Sequence, residues 1–257
     1  LEAETSNTFT AGLVFQPTAF PNLQISFDYY RLSLDNIISS YAFGAYGIIN
    51  SCYRSKNSIP QACRKIHRTP DGHLAYIDAQ LVNGGERITS GLDGQLYFYK
   101  DLNHGLFGYD EQLEIILQGS YLLSHRFRAL KGDKYIECAG YFSSHCQDPF
   151  PRFQLTQLTT WRNNNIELSL RWRHIGPTLN KQNTTVSLAV PKLSAKNYFD
   201  IYLQHHISDN STLRTGVNNI FNSMPDFVGS GQQQANTFPN LYDTLGTYFQ
   251  FGINIYF

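Results

Sequence analysis

The chain ends on the stretch YFQFGINIYF, residues 248–257, and this stretch decides the fold class. Successive side chains of an extended strand point to opposite faces. One face of this strand is wholly apolar and carries Phe249, Phe251, Ile253, Ile255 and Phe257. The other face carries Tyr248, Gln250, Gly252, Asn254 and Tyr256. Chain ends ordinarily fray into water, so either protein or lipid must cover the apolar face.

The composition favours β structure with unusual surfaces. The 257 residues carry 20 basic and 20 acidic side chains, and this zero net charge gives no support to nucleic acid as a partner. Charged residues make up only 16% of the chain, against about 25% in ordinary soluble domains. The 17 Tyr and 18 Phe are residue types that favour a pleated, half-covered surface.

Alternation of apolar and polar residues recurs along the chain and predicts about nine strands. Their expected ranges are 8–16, 23–34, 86–99, 112–124, 152–162, 165–175, 197–207, 211–220 and 243–257. Short and long connections alternate between them. Compact soluble domains seldom carry several structureless loops beyond about 15 residues, whereas outer-membrane barrels have short periplasmic turns and long outer loops.

These observations predict an all-β, antiparallel transmembrane β-barrel whose apolar face meets lipid and whose polar face meets the lumen. No apolar run reaches the roughly 18 residues that a membrane-spanning helix needs. The alternative is a sandwich strand that a second sheet buries on one side. The chain begins at Leu1 in the middle of a pattern, without an initiator Met or a signal peptide, and we interpret it as a piece of a longer protein.

Four cysteines form two close pairs, Cys52 with Cys63 and Cys138 with Cys146. Each pair lies in a segment rich in turn-forming residues, which in an exported protein indicates two local disulfides. The alternative is a four-cysteine zinc site. The ten and seven intervening residues differ from the two to four that are typical of zinc knuckles.

No catalytic motif is present: the sequence has no GxSxG, HExxH, P-loop or Rossmann glycine pattern. We expect no enzyme activity, no catalytic residue, no cofactor and no bound metal. His205 and His206 are adjacent, so they point to opposite faces of a strand and are poorly placed for one metal ion.

The charged face of residues 166–174 carries Arg171 and Arg173, which we predict to face the lumen together with Asp200 on another strand. One interpretation makes the arginines an anion-binding patch for a ferric siderophore or an acidic sugar. The other makes them part of a wall that is salt-bridged to its neighbours.

Ligand contacts are expected from the long outer loops, because loops on a rigid scaffold commonly carry function. Tyr41, Phe43 and Tyr46 in YAFGAYGIIN (41–50) offer aromatic surfaces that stack on sugar rings or catecholates. The alternative is that these rings fill the loop's own small core or lie in the interfacial aromatic girdle.

Several motifs resemble those of one family. Gln250, Gly252, Ile255 and Phe257 are spaced as in the C-terminal signal by which outer-membrane proteins are recognised for barrel insertion, which implies that Phe257 is the true C-terminus. LRTGVNNIFNSMPDF (213–227) resembles the penultimate-strand motif of TonB-dependent receptors, with Asn222 where the family usually has Asp and Asp226 where a second proline is expected. Four further stretches resemble parts of this family. ETSNTFTAGLVFQP (4–17) and LQISFDYYRLSLDNII (23–38) together resemble one of its hairpins, and NGGERITSGLDGQLYFY (83–99) and NYFDIYLQH (197–205) each resemble one of its strands.

The resemblance implies that residues 1–257 are the C-terminal part of a 22-stranded barrel, with the plug domain and the N-terminal strands outside this chain. It implies an outer-membrane receptor of a Gram-negative bacterium that imports siderophore-bound iron, oligosaccharide, cobalamin or haem with energy from TonB. A non-transporting barrel serving as an adhesin or assembly scaffold, and a secreted carbohydrate-binding β-sandwich, are the alternatives. The implied partners are outer-membrane lipid, the plug and the barrel remainder, the TonB–ExbB–ExbD complex, the barrel-assembly machinery, the imported ligand and a surface lipoprotein.

Overall fold

The computed structural model describes residues 1–40, 44–53, 60–102, 105, 110–131, 133–143, 146–184, 189–229 and 235–256. Strands dominate the described chain, two short α-helices occur in one long loop, and a 3-10 helix (Lys181–Thr184) occurs in another. In chain order the elements are β1 (Thr5–Phe15), β2 (Leu23–Ser40), α1 (Ala45–Tyr53), α2 (Pro60–Arg64), β3 (Ile66–Arg68), β4 (Leu74–Ile77), β5 (Leu81–Leu102), β6 (Glu111–Arg128), β7 (Ile136–Glu137), β8 (Tyr141–Phe142), β9 (Phe153–Arg162), β10 (Ile166–Ile175), β11 (Thr178–Asn180), β12 (Lys192–Leu193), β13 (Lys196–Ser208), β14 (Ser211–Asn218) and β15 (Tyr248–Ile255).

The main sheet contains the nine long strands in the order β1-β2-β5-β6-β9-β10-β13-β14-β15, with β7 paired to β6. Each long strand thus lies beside the next long strand of the sequence, and the registers of β6 to β15 are antiparallel. The connections alternate between short turns and long loops. The prediction of about nine strands with this loop pattern is confirmed.

The strand registers separate an apolar face from a polar face. Leu170 of β10 lies opposite Ile201 of β13, whereas the next residue, Arg171, lies opposite Asp200. On β15 the apolar side chains Phe249 and Phe251 are each 77% exposed. No second sheet of the described residues covers this face, so the structure gives no support to the sandwich alternative.

The chain divides into two compact units, and β1, β2, β5 and β6 each contribute residues to both. The first unit comprises Leu1–Phe9, Arg31–Ser90 and Ser124–Glu137. Its small core is built on Ile48 of α1 and Ala62 of α2, against which Ile66, Ile77 and Leu130 pack. In the same unit, β3 and β4 pair as an antiparallel hairpin.

The second unit comprises Thr10–Tyr30, Gly91–Leu123 and Cys138–Phe257. Its buried core cluster contains Phe142, Ile175, Leu193, Tyr198, Phe238 and Tyr242. The short strand β11 pairs with β8 and with β12 in a separate small sheet. Within the described residues, no helix combines the length and the apolar character that crossing a membrane requires.

Three features differ from the sequence-based expectations. The loop after β2 contains α1 and α2, although an all-β chain was expected; these helices have nine and five residues, too short for a helical period to stand out. The strand predicted over 243–257 begins only at Tyr248. Strands β2, β5 and β6 have 18, 22 and 18 residues and extend beyond the predicted ranges. Their added ends lack a continuous apolar face, so alternation does not reveal them.

Candidate functional site on the polar face and its loops

A buried carboxylate organises the polar face of β10 and β13. Asp200 is completely buried, and its Oδ2 accepts hydrogen bonds from Arg171 Nε at 2.8 Å and from Arg173 Nε at 3.3 Å. Its Oδ1 accepts the backbone N–H of Asn219 at 2.8 Å. Three donors therefore satisfy this carboxylate, as a buried charge requires.

Arg173 also ties the polar face to the loop between β14 and β15. Its Nη1 and Nη2 donate to the two carboxylate oxygens of Asp243 at 3.2 and 2.6 Å. This paired geometry is the favourable arrangement of a guanidinium with a carboxylate. Asp243 is 70 residues away in sequence, so the contact fixes a distant loop on the strand.

Arg171 continues the network toward β14. Its Nη2 donates to Tyr202 OH at 2.6 Å, and the Tyr202 hydroxyl donates to Asn218 Oδ1 at 2.5 Å. The Tyr202 ring lies against Gly216, where an added Cβ atom would be 2.6 Å from Tyr202 Cδ1. Gly216 is thus required for close approach of the ring to the backbone.

These contacts bring together the three residues that the sequence predicts for the lumen, Arg171, Arg173 and Asp200. With Asp243 included, the cluster holds two positive and two negative charges. This balance agrees with the interpretation of a salt-bridged wall. The orientation toward a lumen and the binding of an anion stay predictions.

Three long connections meet in one buried core beside this network. Phe142 comes from the segment before β9, Leu193 from the loop between β10 and β13, and Phe238 and Tyr242 from the loop between β14 and β15. Asn240 Nδ2 donates to Asp148 Oδ1 at 3.0 Å and joins the last loop to the first. We call this assembly the loop cap; it comprises the described residues 138–143, 146–152, 176–184, 189–195, 219–229 and 235–247.

Asp226 fastens the loop cap to the start of β13. Lys196 Nζ donates to Asp226 Oδ1 at 2.8 Å, and the Ser194 backbone N–H donates to Oδ2 at 2.5 Å. Burial alone would raise the pKa of Asp226, but the hydrogen bonds from Lys196 and Ser194 outweigh it and hold that pKa below its usual value. Asp226 is therefore ionised at neutral pH.

Both predicted disulfides are present, so the zinc alternative is wrong. Cys52 and Cys63 join α1 to α2 in the first unit, with their Cα atoms 4.9 Å apart. Cys138 and Cys146 are buried in the loop cap, with their Cα atoms 5.7 Å apart. Each bridge closes a short local loop.

The predicted aromatic ligand loop is described only in part. Tyr46 lies on α1 and its side chain is 71% exposed, so it does not fill the core of its own loop. Tyr41 and Phe43 lie outside the described residues. A role of Tyr41, Phe43 and Tyr46 in ligand binding stays a prediction.

The barrel-insertion signal lies on β15. Gln250 is opposite Gly216, Gly252 is opposite Arg214, and Ile255 is opposite Ser211. Phe257 lies outside the described residues. The spacing therefore places Gln250 and Gly252 on the polar face and Ile255 on the apolar face, while their role in insertion stays a prediction.

A row of aromatic contacts crosses the apolar face at the strand ends next to the loop cap. Trp172 stacks on Phe199 with ring centroids 6.1 Å apart, and Phe199 meets Phe221 edge to face at 5.4 Å. His174 joins Trp172 to Phe153 at 6.4 and 5.7 Å. We call Phe153, His174, Trp172, Phe199 and Phe221 the aromatic row; interfacial positions of membrane proteins are typically aromatic.

Several residues of this site were not predicted from the sequence. Tyr202, Asp226 and Asp243 hold the network and the loop cap. Tyr202 and Asp226 lie within the quoted motifs NYFDIYLQH (197–205) and LRTGVNNIFNSMPDF (213–227), but neither motif predicts these contacts. Asp243 and Asp226 lie in a loop without periodicity, and nothing in the sequence assigns their partners. The predicted alternation does place Tyr202 on the same strand face as Asp200, but it does not indicate the hydrogen bonds of Tyr202.

Comparison with known proteins places the chain in a family. The profile of the family described as TonB dependent receptor-like, beta-barrel, matches residues 1–220. Among proteins with curated functional descriptions, none matches this chain.

Solved structures with the same fold include two bacterial receptors and a bacterial iron transporter. A mutant of the ferric enterobactin receptor PfeA from Pseudomonas aeruginosa matches with a TM-score of 0.62, 17% identity, 99% of this chain and 31% of that chain. The FrpB iron transporter from Neisseria meningitidis matches with a TM-score of 0.58, 13% identity, 99% of this chain and 31% of that chain. The siderophore receptor PirA from Acinetobacter baumannii matches with a TM-score of 0.58, 12% identity, 98% of this chain and 32% of that chain.

The chain spans about a third of the length of these structures. This coverage is consistent with a part of a barrel wall, as the strand count predicts. Proteins of this family reside in the outer membrane of Gram-negative bacteria, which confirms the predicted localisation. The uncovered apolar face, the ion-paired polar face and the family profile lead to one conclusion: the chain belongs to the TonB dependent receptor-like β-barrel family.

Proposed function

We propose that the protein containing this chain is an outer-membrane receptor that imports a bulky nutrient with energy supplied through TonB. The observation that carries the proposal is the family profile over residues 1–220. The structure supports it with strands that have one exposed apolar face and one ion-paired polar face, as a wall between lipid and a filled lumen requires.

The complete receptor would also contain a plug domain and the remaining strands of the barrel. Residues 1–257 would form the C-terminal part of the barrel, and a plug domain with its TonB-contacting segment would belong to the rest of the protein. Nine long strands cannot close around a 22-strand circumference by themselves. The polar face of β9 to β15 would then pack against the plug by hydrogen bonds and ion pairs.

Ferric chelates are the first substrate class to test. The matched structures include a ferric enterobactin receptor, a siderophore receptor and an iron transporter. At 12–17% identity these likenesses extend to the fold alone, so haem, cobalamin and oligosaccharides belong in the same test.

The experiment is uptake by the native host with the gene for the full-length protein deleted. Cells are given labelled ferric siderophores, haem, cobalamin and oligosaccharides in turn. We expect the deletion to abolish uptake of one class, and the full-length gene to restore it. Because import needs TonB, restoration should fail after removal of TonB or collapse of the proton-motive force.

Two results would overturn the proposal. Uptake that is restored equally well without TonB would show a passive channel. Unchanged uptake of every compound, with the protein present in the outer membrane, would favour the adhesin or scaffold alternative.

A further inference from the structure

The loop between β14 and β15 exposes apolar side chains that take no part in the hydrogen-bond network around Asp200. Phe221 and Leu245 are 71% and 79% exposed, and Met224 is exposed as well. Met224 lies beside Gly246, since a Cβ atom added to Gly246 would be 3.5 Å from Met224 Sδ. The two ends of the loop therefore lie close together. We call the exposed side chains Phe221, Met224 and Leu245 the apolar rim.

A tight turn at residues 219–223 fixes the backbone next to the apolar rim. Asn219 and Asn222 adopt positive φ angles of 50° and 51°, which Asn tolerates better than most residues. Asn219 is completely buried; its Oδ1 accepts the Ser223 N–H at 2.8 Å and its Nδ2 donates to the Ser223 carbonyl at 2.9 Å. The polar groups of the turn are therefore satisfied within the protein, while Phe221 points away.

The second end of the loop is fastened to the same turn. Thr247 Oγ1 donates to the Asn219 carbonyl at 2.6 Å, and the Thr247 N–H donates to Asn222 Oδ1 at 3.2 Å. Leu245 is only two residues before Thr247. Its exposure is consequently a property of a well-bonded loop end and not of a frayed segment.

The apolar rim continues the apolar face of the sheet. Phe221 meets Phe199 edge to face at 5.4 Å, and Phe199 stacks on Trp172. The rim therefore extends the aromatic row past the last paired residue of β14, Asn218. In a barrel with long outer loops this row lies at the outer boundary of the membrane.

Charge does not oppose contact with lipid at the rim. The acidic groups of this loop closest in sequence are Asp226 and Asp243, and both are ion-paired, with Lys196 and Arg173. No ionisable side chain separates Phe221 from Met224 or Leu245 from Tyr248. An exposed apolar patch without charge, continuous with a lipid-facing surface, is typical of a membrane contact.

We propose that Phe221, Met224 and Leu245 insert into the boundary between headgroups and acyl chains of the outer leaflet and anchor the loop cap to lipid. The occupant of the apolar rim is lipid, and neither a protein partner nor the imported ligand. The proposal rests on the location in the outer membrane and not on the transport activity. It holds equally for a receptor of any substrate.

The test uses the full-length protein in nanodiscs of defined phospholipid. A nitroxide label is attached to Leu245→Cys, and its collision rates with oxygen and with a water-soluble nickel complex are measured. All four cysteines of this chain are in disulfides and do not take up the label. Leu179→Cys is the matched control, because Leu179 is 50% exposed on β11 and lies outside the aromatic row.

We expect collisions with oxygen to exceed those with the nickel complex several-fold at position 245, and the reverse at position 179. Equal access of the nickel complex at both positions would overturn the proposal. Protection of position 245 in native outer-membrane vesicles, but not in nanodiscs made of lipid alone, would also overturn it and identify a protein as the occupant.

A second measurement avoids the label. Phe221→Ser combined with Leu245→Ser removes apolar surface and leaves the Asn219 turn intact. Amide hydrogen exchange at residues 219–223 should then rise several-fold in nanodiscs, whereas Leu179→Ser should leave it unchanged. Exchange that is equal in the double variant and the wild type would contradict lipid anchoring.

Discussion

Arg171 and Asp200 lie directly opposite each other on β10 and β13, and Arg171 Nε donates to Asp200 Oδ2 at 2.8 Å. Asp200 has no exposed surface, and it also binds Arg173 and the backbone of Asn219. One carboxylate thus joins two strands of the wall and the first residue of the loop after β14. The network depends on this single charge more than on either arginine.

Replacing Asp200 by Ala should therefore be strongly destabilising. Both guanidiniums would lose a buried partner, and removal of one member of a buried ion pair typically costs about 3–5 kcal/mol. We expect a loss of about 3 kcal/mol in the free energy of unfolding, because Arg171 and Arg173 keep partial exposure to water. Denaturant unfolding of the full-length protein in lipid measures this value.

Asp209→Ala is the matched control for Asp200→Ala. Asp209 is an exposed residue of the short turn between β13 and β14, and its loss should change the free energy of unfolding by less than about 0.5 kcal/mol. Equal stability of the two variants would show that the Asp200 network contributes nothing to the wall.

Gly216 provides a second test, because its position is set by an aromatic ring. A Cβ atom at Gly216 would lie 2.6 Å from Tyr202 Cδ1 and 2.9 Å from Gln250 Nε2. Gly216→Ala should therefore displace the Tyr202 ring, weaken its hydrogen bonds to Arg171 and Asn218, and cost about 1–3 kcal/mol. Gly252→Ala on the adjacent β15 meets no atom within 4 Å and should be near neutral.

The same unfolding measurement compares the two glycine variants. If Gly252→Ala is destabilised as much as Gly216→Ala, the loss of stability results from the restricted backbone of alanine relative to glycine. The contact with Tyr202 would then have no role of its own.

The main sheet follows from the sequence because each strand has one apolar face. Phe249, Phe251 and Ile253 repeat at every second position, and this repeat alone predicts the strand and its two faces. The same reasoning places Arg171 and Arg173 on the polar side of β10. Their pairing with Asp200 needs the register of β13, which alternation does not supply.

The loop cap is not predictable by the same means. β8, β11 and β12 have two or three residues each, too few for any period, and Asp243 reaches Arg173 across 70 residues. The disulfide between Cys138 and Cys146 is the feature of this region that the sequence does predict, because close cysteines in a turn-rich segment indicate a disulfide. The contact between the rings of Phe142 and Phe238 is seen only in the structure, because no sequence pattern relates these two residues.

The disulfide of the loop cap offers a third prediction. Replacing Cys138 and Cys146 by Ser removes a buried crosslink, and loss of a native disulfide from a short loop typically costs about 2–3 kcal/mol. We expect faster proteolysis of residues 138–152 in the intact outer membrane, because the unfolded loop gains conformational freedom.

The other disulfide is the control for this double variant. Cys52 and Cys63 belong to the first unit, so replacing them by Ser should speed cleavage near α1 and α2 and leave residues 138–152 protected. Cleavage at both regions in both variants would mean that neither crosslink acts locally.

Acid should loosen the loop cap through Asp226. Its folded pKa is below the unfolded value of about 3.9, so its ion pair with Lys196 contributes fully above about pH 4 and is lost as the pH falls through the folded pKa. A nitroxide at Phe227→Cys, an exposed position beside Asp226, reports this change as a rise in the mobile fraction of the label below pH 4.

In Asp226→Asn the mobile fraction of the label should already be raised at pH 7 and should change less on acidification. Asp71→Asn, in the exposed turn between β3 and β4, should keep the wild-type profile. A transition with the same midpoint and amplitude in Asp226→Asn would assign the acid sensitivity to another group.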